Sequence, residues 1–400
     1  MAGTSSCSVP WWARIEGVVC MTFALLLFPA LAYIVGVFGI IIVYCVTLGC
    51  IALLYAAQVF LNRSANTSNP HEGRTSAPYS IKGRHVLITG GSKGIGHAIA
   101  IEAVQKQAKI ITLVARDAET LREAQTKCLE EADKLGTAVV VQTVPADLVN
   151  STAAIECLDI AASMKGNLKT SAACSSLKET QEDAPIEVFF CNAADVDPRP
   201  FCAMGTSNIS RCVAMNMCTP FLQVKHLLPS MIQRRFGAIC FTNSLTTFVP
   251  IYGFSTYSAT KAALKAFAEV INQEVAGMGI LVANAFLPSV NTPGYQREKQ
   301  VRHRLTEILE ETSKIKQPEE VAERLVAHLE AGHRIITVDF EGWVCARLNA
   351  GFSRAESLAS LFYEFLLSGI FRIVSLALFL QFFSIITREQ PATLRRSKIA

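Results

Sequence analysis

The 400-residue chain reads as an α/β protein built on a doubly wound parallel sheet, with apolar membrane segments at both ends. Three observations predict this. Short, β-prone apolar runs alternate with helix-compatible stretches through the middle of the chain, as parallel β–α–β units require. The first such run opens directly into a glycine-rich turn and then a helix. Residues 17–62 contain no Asp, Glu, Lys, Arg or His, which a soluble core helix of that length would not tolerate.

The N-terminal run comes first in the chain. As one helix its roughly 46 residues would measure roughly 69 Å at 1.5 Å per residue, against a bilayer core of about 30 Å. Two spans, broken near Pro29 or around Gly36 and Gly39, fit better than one, with a single tilted helix as the alternative. Residues 1–62 therefore form the membrane anchor. A cleaved signal peptide is disfavoured because its apolar core is only about 7–15 residues. Arg63, Arg74, Lys82 and Arg84 follow the run, whereas Arg14 and Glu16 precede it; the positive-inside tendency puts the remainder on the cytosolic side. Thirteen cysteines, an odd number without Cys-x-x-Cys spacing, read as reduced thiols and not as a disulfide framework or metal site. The net charge of +4 comes without basic and aromatic interleaving, so nucleic acid is not an expected partner. The sequons at Asn66 and Asn150 would stay unmodified in the cytosol. Residues 63–81, rich in Ser, Asn, Thr and Pro, form a linker, and the catalytic domain is placed at 82–345.

The first strand, residues 85–89, runs into Gly90-Gly91-Ser92-Lys93-Gly94-Ile95-Gly96 and then into a helix. Strand, glycine turn and helix in that order are the context of a dinucleotide site. The glycines permit a tight turn and close backbone approach to a pyrophosphate, and the helix N-terminus offers unpaired N–H groups to the anion. The second strand, 110–114, is followed by Ala115 and Arg116. NAD enzymes place an acidic residue there for the ribose 2′-hydroxyl; an arginine suits a 2′-phosphate, with Lys93 as a second positive charge. NADPH is preferred on this ground. Asp117 reads as the N-cap of a helix over 118–135 that Gly136 ends. Further strands are predicted at 138–144, 187–190, 238–241, 281–285 and 335–338. The polar stretch 161–185 reads as a mobile surface insertion.

Tyr257 and Lys261 stand four apart in an Ala-rich helical stretch, with Ser244 thirteen residues upstream. Helical spacing brings the ammonium beside the phenol. A neighbouring positive charge favours the phenolate, which predicts a Tyr257 pKa below the ordinary ~10 and a proton donor suited to a carbonyl. Read singly, each residue also has a plain structural alternative: a surface Tyr/Lys pair, a loop hydroxyl at Ser244.

These motifs, in this order, resemble the short-chain dehydrogenase/reductase family across residues 82–338. Thr89 to Gly96 is similar to its glycine turn. Asp147 and Leu148, after the third strand, match the residues the family sets at the adenine. Cys191-Asn192-Ala193-Ala194 resembles its Asn-Asn-Ala-Gly motif, with Ala194 where glycine is usual and positive φ is less well tolerated. Asn216 matches the helix asparagine that anchors a proton-relay water; a buried helix amide is the alternative. Pro288-Ser289-Val290-Asn291-Thr292 resembles the segment beside the nicotinamide, with Ser289 in place of glycine, and Thr292 reads either as a carboxamide ligand or as an N-cap before Pro293.

The resemblance implies a Rossmann-like fold and a tetrad of Asn216, Ser244, Tyr257 and Lys261. It assigns the cofactor to Gly90, Ser92, Lys93, Gly94, Ile95, Gly96, Arg116, Asp147, Leu148, Asn192, Ala193, Tyr257, Lys261, Pro288, Val290 and Thr292. The segments 252–261, 291–295, 316–322 and 369–372 resemble family members that reduce a sphingoid ketone. That implies NADPH-dependent reduction of 3-ketosphinganine to sphinganine at the cytosolic face of the endoplasmic reticulum, with membrane lipids as partners and homodimerisation through the helices bearing Asn216 and Tyr257. A membrane reductase of steroids, retinoids or 3-ketoacyl-CoA is the alternative, and a non-catalytic NADPH-binding scaffold the alternative of another class. Residues 296–316 and 319–330 supply helices where the family covers its substrate, with Arg297, Lys299, Arg302 and Arg304 available to lipid headgroups. At the C-terminus, 346–400, the apolar stretch 358–387 is interrupted by Glu364 and Arg372. Its longest uncharged piece, about 15 residues, is too short for a span and predicts insertion into one leaflet or a hairpin, with Arg388, Arg395, Arg396 and Lys398 at an anionic membrane face.

Overall fold

A computed structural model describes residues 77–174, 184–310, 314–349 and 358–394, with the single positions 44, 48, 49 and 56. The chain divides into two compact units, Met1–Thr67 and Ser68–Ala400. Apart from those four positions, the anchor expected at 1–62 lies outside the described residues, as does most of the linker.

In the second unit the described strands make one sheet. They are β1 (His85–Thr89), β2 (Ile110–Ala115), β3 (Val140–Pro145), β4 (Asn167–Thr170), β5 (Val188–Cys191), β6 (Gly237–Ser244), β7 (Ile280–Leu287) and β8 (Ile335–Thr337). Their order is β4-β3-β2-β1-β5-β6-β7-β8, and every pairing is parallel except β3 with β4. Helices cover both faces. On one, α1 (Gly94–Gln105), α2 (Ala118–Leu135) and α9 (Pro318–Glu330) pack on Val86 and Ile88. On the other, α3 (Ser151–Ala162), α5 (Thr219–Arg234) and α6 (Ser255–Glu274) pack on Leu87 and Phe189. The alternation within β1 is the two-residue period of a strand feeding two cores, so near-continuous apolar sequence is what both faces demand.

The local signals behave as their chemistry dictates. Asp117 caps α2, accepting from the Thr120 N–H at 2.7 Å, and Gly136 ends it at φ 65°. Asn150 caps α3 through bonds from the Thr152 and Ala153 N–H groups. The stretch expected as a mobile insertion is in part the antiparallel edge strand β4, all four of whose residues are exposed. Buried Gln125 of α2 holds it there, donating to the Val141 carbonyl at 2.7 Å and the Asn167 carbonyl at 2.9 Å. Residues 175–183 lie outside the described residues.

After α4 (Thr206–Val213) the chain passes through a π-helical turn, Ala214–Cys218, into α5. Beyond β7 come α7 (Pro293–Val301) and α8 (Arg304–Glu310). Thr306 of α8 donates to the Tyr252 carbonyl at 2.9 Å. Arg302 between them does not face lipid headgroups: its side chain is 3% exposed and paired with Glu298 and Glu310.

The C-terminal segment is one continuous helix, α11 (Leu358–Leu394), and not a hairpin. Glu364, which reads in sequence as an interruption of the apolar run, is neutralised by Arg347 of α10 (Phe340–Leu348) at 2.9 Å. Ile373, Phe379 and Phe383 are exposed along α11. Among the described residues no helix is long and apolar enough to cross a membrane.

His85, buried at the start of β1, bonds the Ala184 carbonyl through Nδ1 at 2.7 Å and the Thr112 hydroxyl through Nε2 at 2.8 Å. Burial pulls its pKa down to about 4. Because the unfolded chain takes up this proton near pH 6.5, the stability owed to a neutral His85 is complete above that pH. It falls as pH drops toward 4, by on the order of 3 kcal/mol. Thermal unfolding of His85→Gln between pH 4 and 7 should show a flatter acid limb than the parent; an equally steep limb would remove His85 as its cause.

Candidate active site

The site begins where β1 ends. Strand order reverses between β1 and β5, which opens a crevice at their carboxyl ends. Thr89, the last residue of β1, accepts through its hydroxyl from the Asn192 N–H at 3.0 Å and the Ala193 N–H at 3.1 Å. The Asn192 amide donates back to the Thr89 carbonyl at 3.1 Å. The glycines fit against this clasp. A Cβ on Gly96 would stand 2.3 Å from the Gly90 carbonyl oxygen and 2.7 Å from Asn192 Nδ2, and one on Gly94, at φ 56°, would meet Thr292 at 2.9 Å. Ala194 and Ser289, which replace family glycines, keep negative φ, so the departures cost no backbone strain.

The chain of bonds continues toward the carbonyl chemistry. Thr242 of β6 donates to Asn192 Oδ1 at 3.2 Å, and its own carbonyl accepts from Lys261 Nζ at 2.7 Å. Lys261 is buried in α6 and stands 5.5 Å from the centre of the Tyr257 ring. Ser244 ends β6, its hydroxyl accepting from the Thr246 N–H and hydroxyl at 3.2 and 3.0 Å. Ser244, Tyr257 and Lys261 are thus brought together from β6 and α6.

Electrostatics corrects one expectation. Burial pushes the Tyr257 phenol above its ordinary range, the Glu298 charge pushes it the same way, and hydrogen bonding by Ser244 draws it back. The expected lowering by Lys261 is outweighed by the burial of the phenol; the ammonium is aimed at the Thr242 carbonyl, and its own burial pulls its pKa down to about 8. The phenol keeps its proton at neutral pH.

Asn216 sits buried in the π-helical turn. Its amide donates to the Asp195 carbonyl at 2.7 Å and accepts from the Asp195 N–H at 2.8 Å, so the side chain anchors the loop after β5. Thr292 caps α7, accepting from the Tyr295 N–H at 3.0 Å, while lying against Gly94; both of its readings are compatible. Leu148 has a core side chain and a carbonyl taken by the Thr219 hydroxyl, which leaves its N–H as the group for a ligand. Lys93, Arg116 and Asp147 are exposed at the rim, Ser92, Ile95 and Pro288 half-buried, and Val290 buried in a lone parallel bridge with Lys316.

These residues fit a dinucleotide. The first turn of α1 has no side-chain cap at Lys93, so its N–H groups are left to an anion, and the clasped glycines keep side chains off the approach. Gly90, Gly94 and Gly96 would hold the pyrophosphate, Arg116 with Lys93 the adenosine phosphate, and Lys261 the nicotinamide ribose.

Sequence spacing gives no sign of Asn243. Its Nδ2 donates to the Lys261 and Asn284 side, at 3.1 Å to the Lys261 carbonyl and 3.1 Å to Asn284 Oδ1. Its Oδ1 accepts from the Ser244 N–H at 2.9 Å and the Thr247 hydroxyl at 2.8 Å. It ties Ser244 to the helix of Tyr257. Asn243→Ala strands these buried partners and should lower stability by on the order of 2 kcal/mol, read by thermal unfolding; an unchanged midpoint would show that the network is dispensable.

The family model for short chain dehydrogenase matches residues 84–302. The "3-ketodihydrosphingosine reductase" of Bos taurus is 27% identical over 312 residues, covering 78% of this chain and 88% of that protein. The "3-dehydrosphinganine reductase TSC10A" of Arabidopsis thaliana is 29% identical, over 74% of this chain and 83% of that protein. Among solved structures, a short-chain dehydrogenase from Sphingobium yanoikuyae in complex with NADPH matches with TM-score 0.54 and 21% identity, over 68% of this chain and 97% of that one. Levodione reductase matches with TM-score 0.55 and 22% identity, over 66% and 99%.

Proposed function

The chain belongs to the short chain dehydrogenase family, and we infer from this that it reduces the ketone of 3-ketosphinganine to the alcohol of sphinganine with NADPH. The observation that carries the reading is the set of relatives named for this reaction, which match most of this chain and most of their own length. The arrangement of Ser244, Tyr257 and Lys261 supports it with a way to do the chemistry.

The chemistry that the bound cofactor supplies is hydride delivery to the carbonyl carbon. Ser244 holds the carbonyl oxygen by hydrogen bonding and stabilises the charge that develops there. Tyr257, whose phenol is held above its ordinary range by burial, donates its proton to that oxygen. Lys261 binds the nicotinamide ribose and, through Thr242 and Asn192, fixes the helix of Tyr257 to the glycine turn. Asn216 holds the wall of the site behind Tyr257 through Asp195.

The proposal also places the enzyme on the endoplasmic reticulum membrane with its catalytic domain toward the cytosol. The uncharged run at 17–62, the basic residues that follow it, and the exposed Ile373, Phe379 and Phe383 of α11 support this, as does a substrate with a long alkyl chain. Pairing of two copies through α5 and α6 completes the proposal, with Ile232 and Val270 exposed on those helices.

Purified protein in detergent should convert 3-ketosphinganine to sphinganine with matching NADPH consumption; no product with active-site residues intact would overturn the assignment. Tyr257→Phe should keep its NADPH affinity and lose roughly 10²- to 10⁴-fold in turnover, and near-normal turnover would take the phenol out of the mechanism. Since burial sets Lys261 to lose its charge near pH 8, kcat/KM should decline as pH rises through about 8, the phenol remaining protonated there. A profile flat to pH 9.5 would contradict the role given to the ammonium.

A further inference from the structure

The segment from α7 to α8 gathers two carboxylates around one buried guanidinium, which meets the Tyr257 ring through Phe254. Between α7 and α8, Arg302 is bonded to Glu310 and lies 3.4 Å from Glu298. Its guanidinium also stacks over Tyr295 at 5.0 Å and Phe254 at 5.9 Å. The three side chains are 3%, 13% and 22% exposed for Arg302, Glu310 and Glu298. Two carboxylates therefore share one guanidinium where water is largely excluded. Arg302 also keeps a donor in hand, because its buried Nε–H has no acceptor among the described residues.

The cluster reaches the site itself. Phe254, under Arg302, lies 5.8 Å from the Tyr257 ring, and Glu298 is the charged group that acts most strongly on the Tyr257 phenol. Glu298 is itself pushed up to about 7, by burial first; Arg302 opposes this, Glu310 adds to it, and exposed Arg297 opposes it least. Lys299 stands over the Tyr295 ring at 5.2 Å and acts on Glu310. For a neutral ketone a carboxylate that acts on Tyr257 is adverse, since it opposes the negative charge that develops on the carbonyl oxygen. It becomes favourable when the substrate itself brings a positive charge to the neighbouring carbon.

We propose that Glu298 is the specificity-determining residue of this site, binding the ammonium on the carbon next to the reacting ketone and so selecting aminoketones over neutral ketones. This rests on the reading that the substrate is 3-ketosphinganine, whose C2 carries a primary amine beside the C3 carbonyl. The ammonium pairs with the Glu298 carboxylate where little water screens the two charges. Neutral ketosteroids bring no such partner, and the phosphates of an acyl-CoA bring the wrong sign.

The full chain in detergent micelles, assayed with NADPH on 3-ketosphinganine and on its N-acetyl derivative, tests this. The parent should favour the free amine, and Glu298→Gln should lose about 10- to 100-fold in kcat/KM for it, mostly in KM, with the N-acetyl ketone changed less than threefold. Glu298→Asp, which keeps the charge, should retain most of the preference, and both variants should bind NADPH as the parent does. Equal losses on both ketones, or an undiminished preference in Glu298→Gln, would overturn the role of Glu298. If Glu298→Gln does not bind NADPH, Glu298→Ala decides on the same two ketones: a preference lost with NADPH binding kept supports the role, and an undiminished one overturns it. A parent that reduces the N-acetyl ketone but not 3-ketosphinganine would instead overturn the substrate reading.

Discussion

The clasp between Thr89 and Asn192 is the interaction on which the rest of this site depends. It joins the carboxyl ends of β1 and β5 at the place where the sheet reverses its order, and three bonds between 3.0 and 3.1 Å hold it. The same Asn192 amide limits the room at Gly90 and Gly96 and receives the Thr242 hydroxyl. Through Thr242 the connection reaches the Lys261 ammonium. The glycine turn and Lys261 are thus positioned by one continuous hydrogen-bonded path.

Burial, more than proximity, sets the protonation states. A phenol four residues from a lysine is expected to be acidified, yet both groups are withdrawn from water, and desolvation penalises the charged form of each. The phenol rises and the ammonium falls to about 8. For a reductase this is a serviceable arrangement, because the group that must give up a proton holds it throughout the neutral range. The buried carboxylates on α7 and α8 add to the effect, and the same charges supply the reason for a cationic substrate.

The C-terminal helix shows how a charge that looks disruptive can be structural. Glu364 would be costly in an apolar helix left alone, but Arg347 pairs with it at 2.9 Å where both side chains are nearly buried. The pair docks the start of α11 on α10, beyond which the helix presents apolar side chains to its surroundings.

Much of this protein was legible in the order of its residues. Local chemistry announces the glycine turn, the Asp117 cap and Gly136 stop of α2, and the Tyr257, Lys261 and Ser244 constellation, because each depends on neighbours close in sequence. Strand positions followed from apolar runs bounded by turns, since buried parallel strands need apolar side chains on both faces. What only the tertiary structure decided are the long-range partners: Asn243 between Ser244 and Lys261, Asp195 on Asn216, Gln125 holding an edge strand in a segment that reads as insertion, and Arg302 turned inward between two glutamates. Apart from Glu298, which stands four residues before Arg302, none has a spacing that a sequence reveals, for a buried polar side chain is defined by which distant groups fold around it, and its charge is fixed by how much water they remove.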